Sequence, residues 1–465
     1  MGVSEKNVPD QRRADASAGE TLSARIARFV VETTWEDVPQ DIRRQAVRSI
    51  FNVFGTALGG SQDQAVLRLA KTLTPFSSSG ASSVIGHDIN VDAPTAAFLN
   101  AVAMNVHDFD DTHVNTIIHP SAPVAAALFA IAETRAVTGP ELLHAFVLGT
   151  EVECRLGNAI SPGHYDRGWH ITSTCGVFGA AAAVGKLLGL TIEEMVWAFG
   201  NASAQAAGLV ETLGSMAKSI SVGNAARNGI LSAIMAKNGV EGPAEPLEGK
   251  RGFLQVTCDA PRMSALGIGL GTDWELSRNT FKLYPCGVVL TPVIDACLML
   301  RRDIVVDRIA SITVAGNPLL KARADRPHVT RGREAQVSTQ HAVAVSLLRG
   351  SAGIADFDDK AVADQQVLAL RQKVLGVDID PAFGVESAMV SITDTDGRRH
   401  DMVCEKARGS IGNPLSDADL ADKFRALAAY GCPSLDSSIL MEMLWQLETA
   451  SNAGDIMVAA RLPHA

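Results

Sequence analysis

Two runs in the first half of the chain, "APVAAALFAIAE" and "TCGVFGAAAAVGKLLGL", are strongly apolar, and both are short or dense in glycine and alanine. Neither supplies the roughly 20 bulky apolar residues that crossing a bilayer takes, so both are read as buried helices. Small side chains let such helices approach one another closely. Aromatic residues make up only 5% of the chain while hydrophobic residues make up 47%, which favours packed helices over a β-sandwich. At 465 residues the chain exceeds one ordinary core and is expected to form two or three domains.

Helical periodicity begins after a polar N-terminus. "LSARIARFVVETTW" sets Ile26, Phe29 and Val30 on one face, and "DIRRQAVRSIFNVFGTALGG" does the same with Ala46, Ile50, Val53 and Phe54. Gly59-Gly60 is expected to stop that second helix. Thr191 and Glu194 match a capping box. Near residue 275 the pattern changes. "RIASITVAGN" and "ESAMVSITDTDGRRHDMVC" alternate as strands do, with Asp396-Gly397 as a hairpin turn, and "TQHAVAVSLLRG" is a helix between them. The expected class is mainly α with α+β. A tail spans 1–20, a helical domain 21–274, and a smaller α+β lid 275–405. Residues 406–465 return to the helical domain.

A net charge of −10 argues against nucleic acid, which needs clustered Lys and Arg. The seven cysteines never fall in a C-x-x-C spacing and read as buried thiols in a reducing compartment. The first twenty residues lack an apolar segment. The protein is therefore expected in the cytoplasm, away from membranes.

Against this apolar background "VHDFDDTHVNTIIHPS" concentrates His107, Asp108, Asp110, Asp111, His113 and His119. Pro120 pushes His119 out of helical geometry and places it at a helix entrance. His-Asp occurs twice, at His87-Asp88 and His107-Asp108, but without the spacing that lines up ligands on one helical face. No metal and no cofactor is expected. "DFDDT" also matches an acid that protonates alkenes, a chemistry needing more aromatic residues than this chain has. Proton transfer suits the cluster better. Asp111 is read as a cap for backbone amides, and His107 and His113 as structural or functional alike.

Five segments, "HDFDDTH…HPSAPV", "GHYDRGWHITSTCGVFGAAAAVGKLLGL", "MAKSISVGNAARNG", "FKLYPCGVVLTPVIDA" and "GSIGNPLSDADLADKF", occur in an order that resembles the MmgE/PrpD family. That family includes 2-methylcitrate dehydratases, cis-aconitate decarboxylases and iminodisuccinate epimerases. The resemblance covers roughly residues 20 to 450. It implies a helical domain built from both chain ends, a lid, a homodimer, and metal-free chemistry on small polycarboxylates. It further implies that His119 and His170 move protons, that Asp108 orients the acid–base group, and that Lys218, Lys282 and Thr112 bind carboxylates.

Removing a proton beside a carboxylate builds negative charge that fixed cations must absorb, and the two lysines fit that need. Three positions depart from the family. Gly287 and Thr291 stand where relatives carry histidine, and His341 stands where they often have tyrosine. His341 is expected to contact substrate in place of a lost acid or base, the alternative being a packed helix residue. The expected activity is dehydration of a hydroxy-di- or tricarboxylate. Epimerisation, decarboxylation, metal-dependent hydrolysis and non-catalytic binding are the alternatives.

Overall fold

The computed structural model describes residues 19–77 and 80–462; the tail expected over residues 1–20 falls, up to residue 18, outside the described residues. Helix takes 56% and strand 10%, so the fold is mainly α with α+β. The first half supplies α1 (Leu22–Glu32), α2 (Gln40–Gly60), α3 (Ala93–Asn105), α4 (Ser121–Ala132), α5 (Gly139–Ile160), α6 (Ile171–Leu187), α7 (Ile192–Ser203) and α8 (Lys218–Lys237). Every residue of α4 is buried, as its uniformly apolar sequence requires. The Thr191–Glu194 box forms at the start of α7: Glu194 N–H donates to Thr191 Oγ1 at 3.2 Å and Thr191 N–H donates to Glu194 Oε2 at 2.8 Å.

Helix α2 ends at Gly60, as the Gly59-Gly60 pair leads one to expect, and both glycines also permit close approach of neighbouring elements. A Cβ on Gly60 would sit 2.1 Å from the Ala103 carbonyl of α3, an impossible contact.

Hydrophobic side chains form two cores. One draws on residues from Ile26 to Phe281 and again from Leu415 to Ala460. The other runs from Tyr284 to Ala407. Between them lies a short antiparallel ladder, β1 (Asp111–His113) with β2 (Asn279–Phe281), pairing Asp111 with Phe281 and Thr112 with Thr280. The second core contains α9 (Thr291–Leu300), α10 (Thr339–Arg349) and a four-stranded sheet. In that sheet β3 (Ile309–Gly316) is flanked by parallel β4 (Val374–Ile379) and antiparallel β5 (Ala388–Asp394), and β6 (Arg399–Cys404) pairs with β5. The β5–β6 hairpin turns at Gly397, with φ +80°.

The chain then returns to the first core through α11 (Asp417–Gly431), which packs on α2. All seven cysteines are buried and free. Among the described residues no helix is long and apolar enough to cross a membrane.

Candidate active site

The turn that leaves α3 places Asp108 at φ +53°, a left-handed conformation that aspartate tolerates better than most residues. Its carboxylate faces two ammonium groups. Lys218 Nζ lies 2.5 Å from Oδ1 and Lys282 Nζ lies 3.1 Å from Oδ2. Lys282 also donates to the Asp108 carbonyl at 2.9 Å. Lys218 opens α8, and Lys282 follows β2 where the chain passes from one core to the other. The β1–β2 ladder therefore sets the second lysine beside the acidic turn. Burial alone would raise the Asp108 pKa, but Lys218 and Lys282, helped by His119, outweigh it and hold the carboxyl well below its ordinary range. An ammonium has three donors, so each lysine keeps at least one beyond its Asp108 contacts.

Two histidines face the same space in the same tautomer. His119 Nδ1 lies 2.6 Å from the Asp111 carbonyl oxygen; a carbonyl only accepts, so Nδ1 carries the hydrogen and Nε2 keeps its lone pair. That Nε2 is 3.6 Å from Asp108 Oδ1. His170 Nδ1 is 3.1 Å from Ser221 Oγ and 3.3 Å from Ser173 Oγ. Each hydroxyl spends its one hydrogen on a carbonyl, Ser221 on Lys218 at 2.9 Å and Ser173 on His170 at 2.8 Å. His170 Nδ1 must then be the donor, again leaving Nε2 as a free base. Burial, reinforced by Lys218, takes the His170 pKa down to about 3. Burial also lowers that of His119, against an upward pull from Asp110. Both rings are neutral near pH 7.

Beneath this layer the acids and one lysine hold the turn. Asp111 accepts from Asn279 Nδ2 at 2.5 Å, from Ser121 Oγ, and from the Ser121 amide at 3.4 Å at the start of α4. Burial outweighs these bonds and raises its pKa to about 6. Asp110 accepts from Asn105 Nδ2 at 2.8 Å and lies 3.5 Å from His119 Nδ1. Lys423 of α11 is buried and donates to Asn52 Oδ1, Phe109 O and Lys282 O at 2.7–2.8 Å. It ties α2, the acidic turn and the segment bearing Lys282 to one ammonium group. Its signal in the sequence is position, because Leu420, Lys423, Phe424 and Leu427 share the buried face of α11.

A cavity of about 290 Å³ is lined by Asp108, Thr112, His119, His170, Lys218 and Lys282, so six of the seven expected site residues converge. Thr112 Oγ1 lies 3.3 Å from His119 Nδ1. The seventh, His341, does not converge. It is buried in α10, where Nε2 meets the Asp356 carbonyl at 2.8 Å and the ring packs on Phe357. The apolar periodicity of α10 carries it into the second core and away from the cavity wall. His113 is likewise internal, 3.0 Å from Glu275, and His87 rests on the Ser61 carbonyl. Sequence reasoning passed over Tyr165, Arg323 and Arg326, which complete the cavity wall, with Arg323 stacked 4.5 Å above the Tyr165 ring.

Asp108, Asp110 and His119 could offer ligand atoms within 4.8 Å of one another. A cation there would face the two ammonium groups already on Asp108. The donor set suits an organic anion better than a metal.

Comparison with known proteins agrees with this architecture. The chain is 30% identical to cis-aconitate decarboxylase of Homo sapiens over 406 residues, 83% of each chain. It is 26% identical to the cis-aconitate decarboxylase-like protein oryM of Aspergillus oryzae over 474 residues, 95% of this chain and 98% of that one. The MmgE/PrpD N-terminal domain matches residues 24–265 and the MmgE/PrpD C-terminal domain matches residues 284–447. With both domains matched in order across these two cores, the chain belongs to the MmgE/PrpD family.

Proposed function

We propose that this chain is a lyase that abstracts a proton beside a carboxylate of a small hydroxy-di- or tricarboxylic acid and expels water. One observation carries the reading: two neutral histidines present Nε2 lone pairs to a cavity in which two ammonium groups share a single carboxylate. The substrate carboxylates take the remaining donors of Lys218 and Lys282, with Thr112 beside them. As the C–H bond breaks, charge flows into the adjacent carboxylate, and the lysines stabilise it.

The two histidine environments divide the roles. His170, lowered to about 3 beside Lys218, stays neutral and takes the proton. His119, with Asp110 and Asp108 drawing protons toward it, is the more readily protonated once an anion binds. It delivers the proton to the departing hydroxyl. Asp108 holds both lysines in register. No metal or cofactor is assigned a role. We further propose that the helical core is one domain, 21–274 with 406–465, that 275–405 is its lid, and that the enzyme works as a cytoplasmic homodimer.

The relatives named cis-aconitate decarboxylase favour a second reading, loss of CO2 from a related acid through the same carbanion. Gly287, where such enzymes are expected to carry histidine, argues against it. Incubating di- and tricarboxylates in D2O and following them by NMR separates the cases. Dehydration gives a new alkene with all carbons retained, decarboxylation removes one carbon, and epimerisation gives exchange without net loss. If no acid in the panel exchanges a carbon-bound proton, the proton-transfer reading is wrong.

A further inference from the structure

A second cavity, of about 360 Å³, abuts the catalytic one. The two share Thr112, Ile117, Tyr165, Lys282, Val288, Val289 and Arg323 as common wall. Most of the second cavity's surface is apolar, supplied by Val114, Phe281, Leu319 and Val385, while Lys282, Arg323, Asp166, Glu386 and Arg408 are its charged lining. Arg408 is engaged by Asp419 at 2.7 Å. A small polycarboxylate has no use for such a wall, since its groups seek cations and donors. Apolar surface held open beside a charged site fits an apolar part of the same ligand. Resting on the carboxylate reading above, we infer that the substrate bears an alkyl substituent several carbons long, which lies in this second cavity while its carboxylates stay on Lys218 and Lys282.

Two further features of the wall agree. Ile117 has φ +59°, a conformation that strains a β-branched residue. It is held there by a tight hairpin, with His113 N–H donating to Ile118 O and Ile117 N–H donating to His113 O, each at 2.8 Å. Asparagine or glycine would take this backbone with less strain, yet isoleucine puts an apolar side chain on the wall common to both cavities. Gly287, at φ −55° and ψ 135°, has a backbone open to any residue. A Cβ there would meet only Val337 and Gln336, at 3.8 and 3.9 Å. The backbone does not demand glycine; its effect is to leave the catalytic cavity wider beside Val288 and Val289.

The test is calorimetric titration of the full chain with succinate and its 2-methyl, 2-propyl and 2-hexyl derivatives. Binding is expected to tighten about fourfold per added methylene, the equivalent of about 0.8 kcal/mol, until the cavity is full. Val385→Phe and Leu319→Phe line only the second cavity. Each is expected to flatten the series while leaving the Kd for succinate itself unchanged. A flat series in the unmodified chain overturns the subsite and leaves the carboxylate site standing. A slope that survives both substitutions also overturns it, because the tail then binds elsewhere. Failure of succinate and citrate themselves to bind overturns the carboxylate reading and removes the anchor on which the subsite depends.

Discussion

The lysine-lined cavity and the second core each bury histidine, and they do so in opposite tautomers. His119 and His170 give Nδ1–H to the protein and turn Nε2 toward the cavity. His341 gives Nε2–H to the Asp356 carbonyl and leaves Nδ1 without a hydrogen-bond partner among the described residues. Burial pushes the pKa down in every case, to about 4 for His341 and about 3 for His170. A depressed pKa therefore does not distinguish a proton-handling ring from a packed one. What distinguishes them is which nitrogen the protein consumes and whether the other faces open space.

The largest expected effects fall on the cations. Lys218→Ala or Lys282→Ala should each lower kcat/KM about 10³-fold, the scale seen when one donor to a developing anion is lost. Steady-state kinetics on an acid identified by the D2O assay will show it. Circular dichroism will check that Asp108, left with one partner, still permits folding. Next come the rings themselves. His119→Gln and His170→Gln should slow carbon-bound proton exchange about 10²- to 10⁴-fold, while His341→Gln should leave it within about threefold. Equal losses at all three positions would erase the distinction between cavity and second core.

Lys423→Met probes the layer under the cavity. It strands Asn52 Oδ1 and the carbonyls of Phe109 and Lys282 in a buried place, at a cost of about 3 kcal/mol. Tm should fall by about 3 °C for a chain of this size. Because the Lys282 backbone loses its anchor, KM for the acid should rise with kcat less affected. A fall in Tm with unchanged KM would mark Lys423 as structural only.

Most helices were legible because their faces repeat, and the acidic run stood out by contrast with its apolar surroundings. Three things were not legible. The β1–β2 ladder joins three-residue strands 168 positions apart, as in the Thr280–Thr112 contact; three residues carry no periodicity, and the pairing is decided by tertiary packing. It is this ladder that brings Lys282 to Asp108. Strand β4, "VLGVDI", joins the sheet in parallel and was hidden by an exposed-buried pattern with no clean alternation. His341 stands where an expected tyrosine is replaced, which draws attention to it. The apolar residues around it in "QHAVAVSLL" were the better guide, since they mark a helix buried on several sides.

The smallest effect offers the sharpest separation of the second-core histidine from the cavity pair. His341 has a folded pKa of about 4, below the value of about 6.5 it takes in an unfolded chain. Above pH 6.5 it is neutral in both states and contributes nothing to pH dependence. As pH falls from 6.5 toward 4, the unfolded chain binds a proton that the folded protein refuses, so the native state loses stability at up to about 1.4 kcal/mol per pH unit. His341→Gln keeps a donor for Asp356 and cannot titrate. Other buried groups such as Asp111 titrate in the same window, but they are common to both proteins and cancel in the difference. Relative to the unmodified chain, the variant should therefore gain about 2 kcal/mol between pH 7.5 and pH 5.0, read as a Tm difference growing by about 2 °C. At pH 7.5 its proton-exchange activity should match the parent. A difference in Tm that stays constant with pH would mean that His341 binds its proton as readily in the folded protein as in the unfolded chain, and its kinship with the packed residues of the second core would be lost.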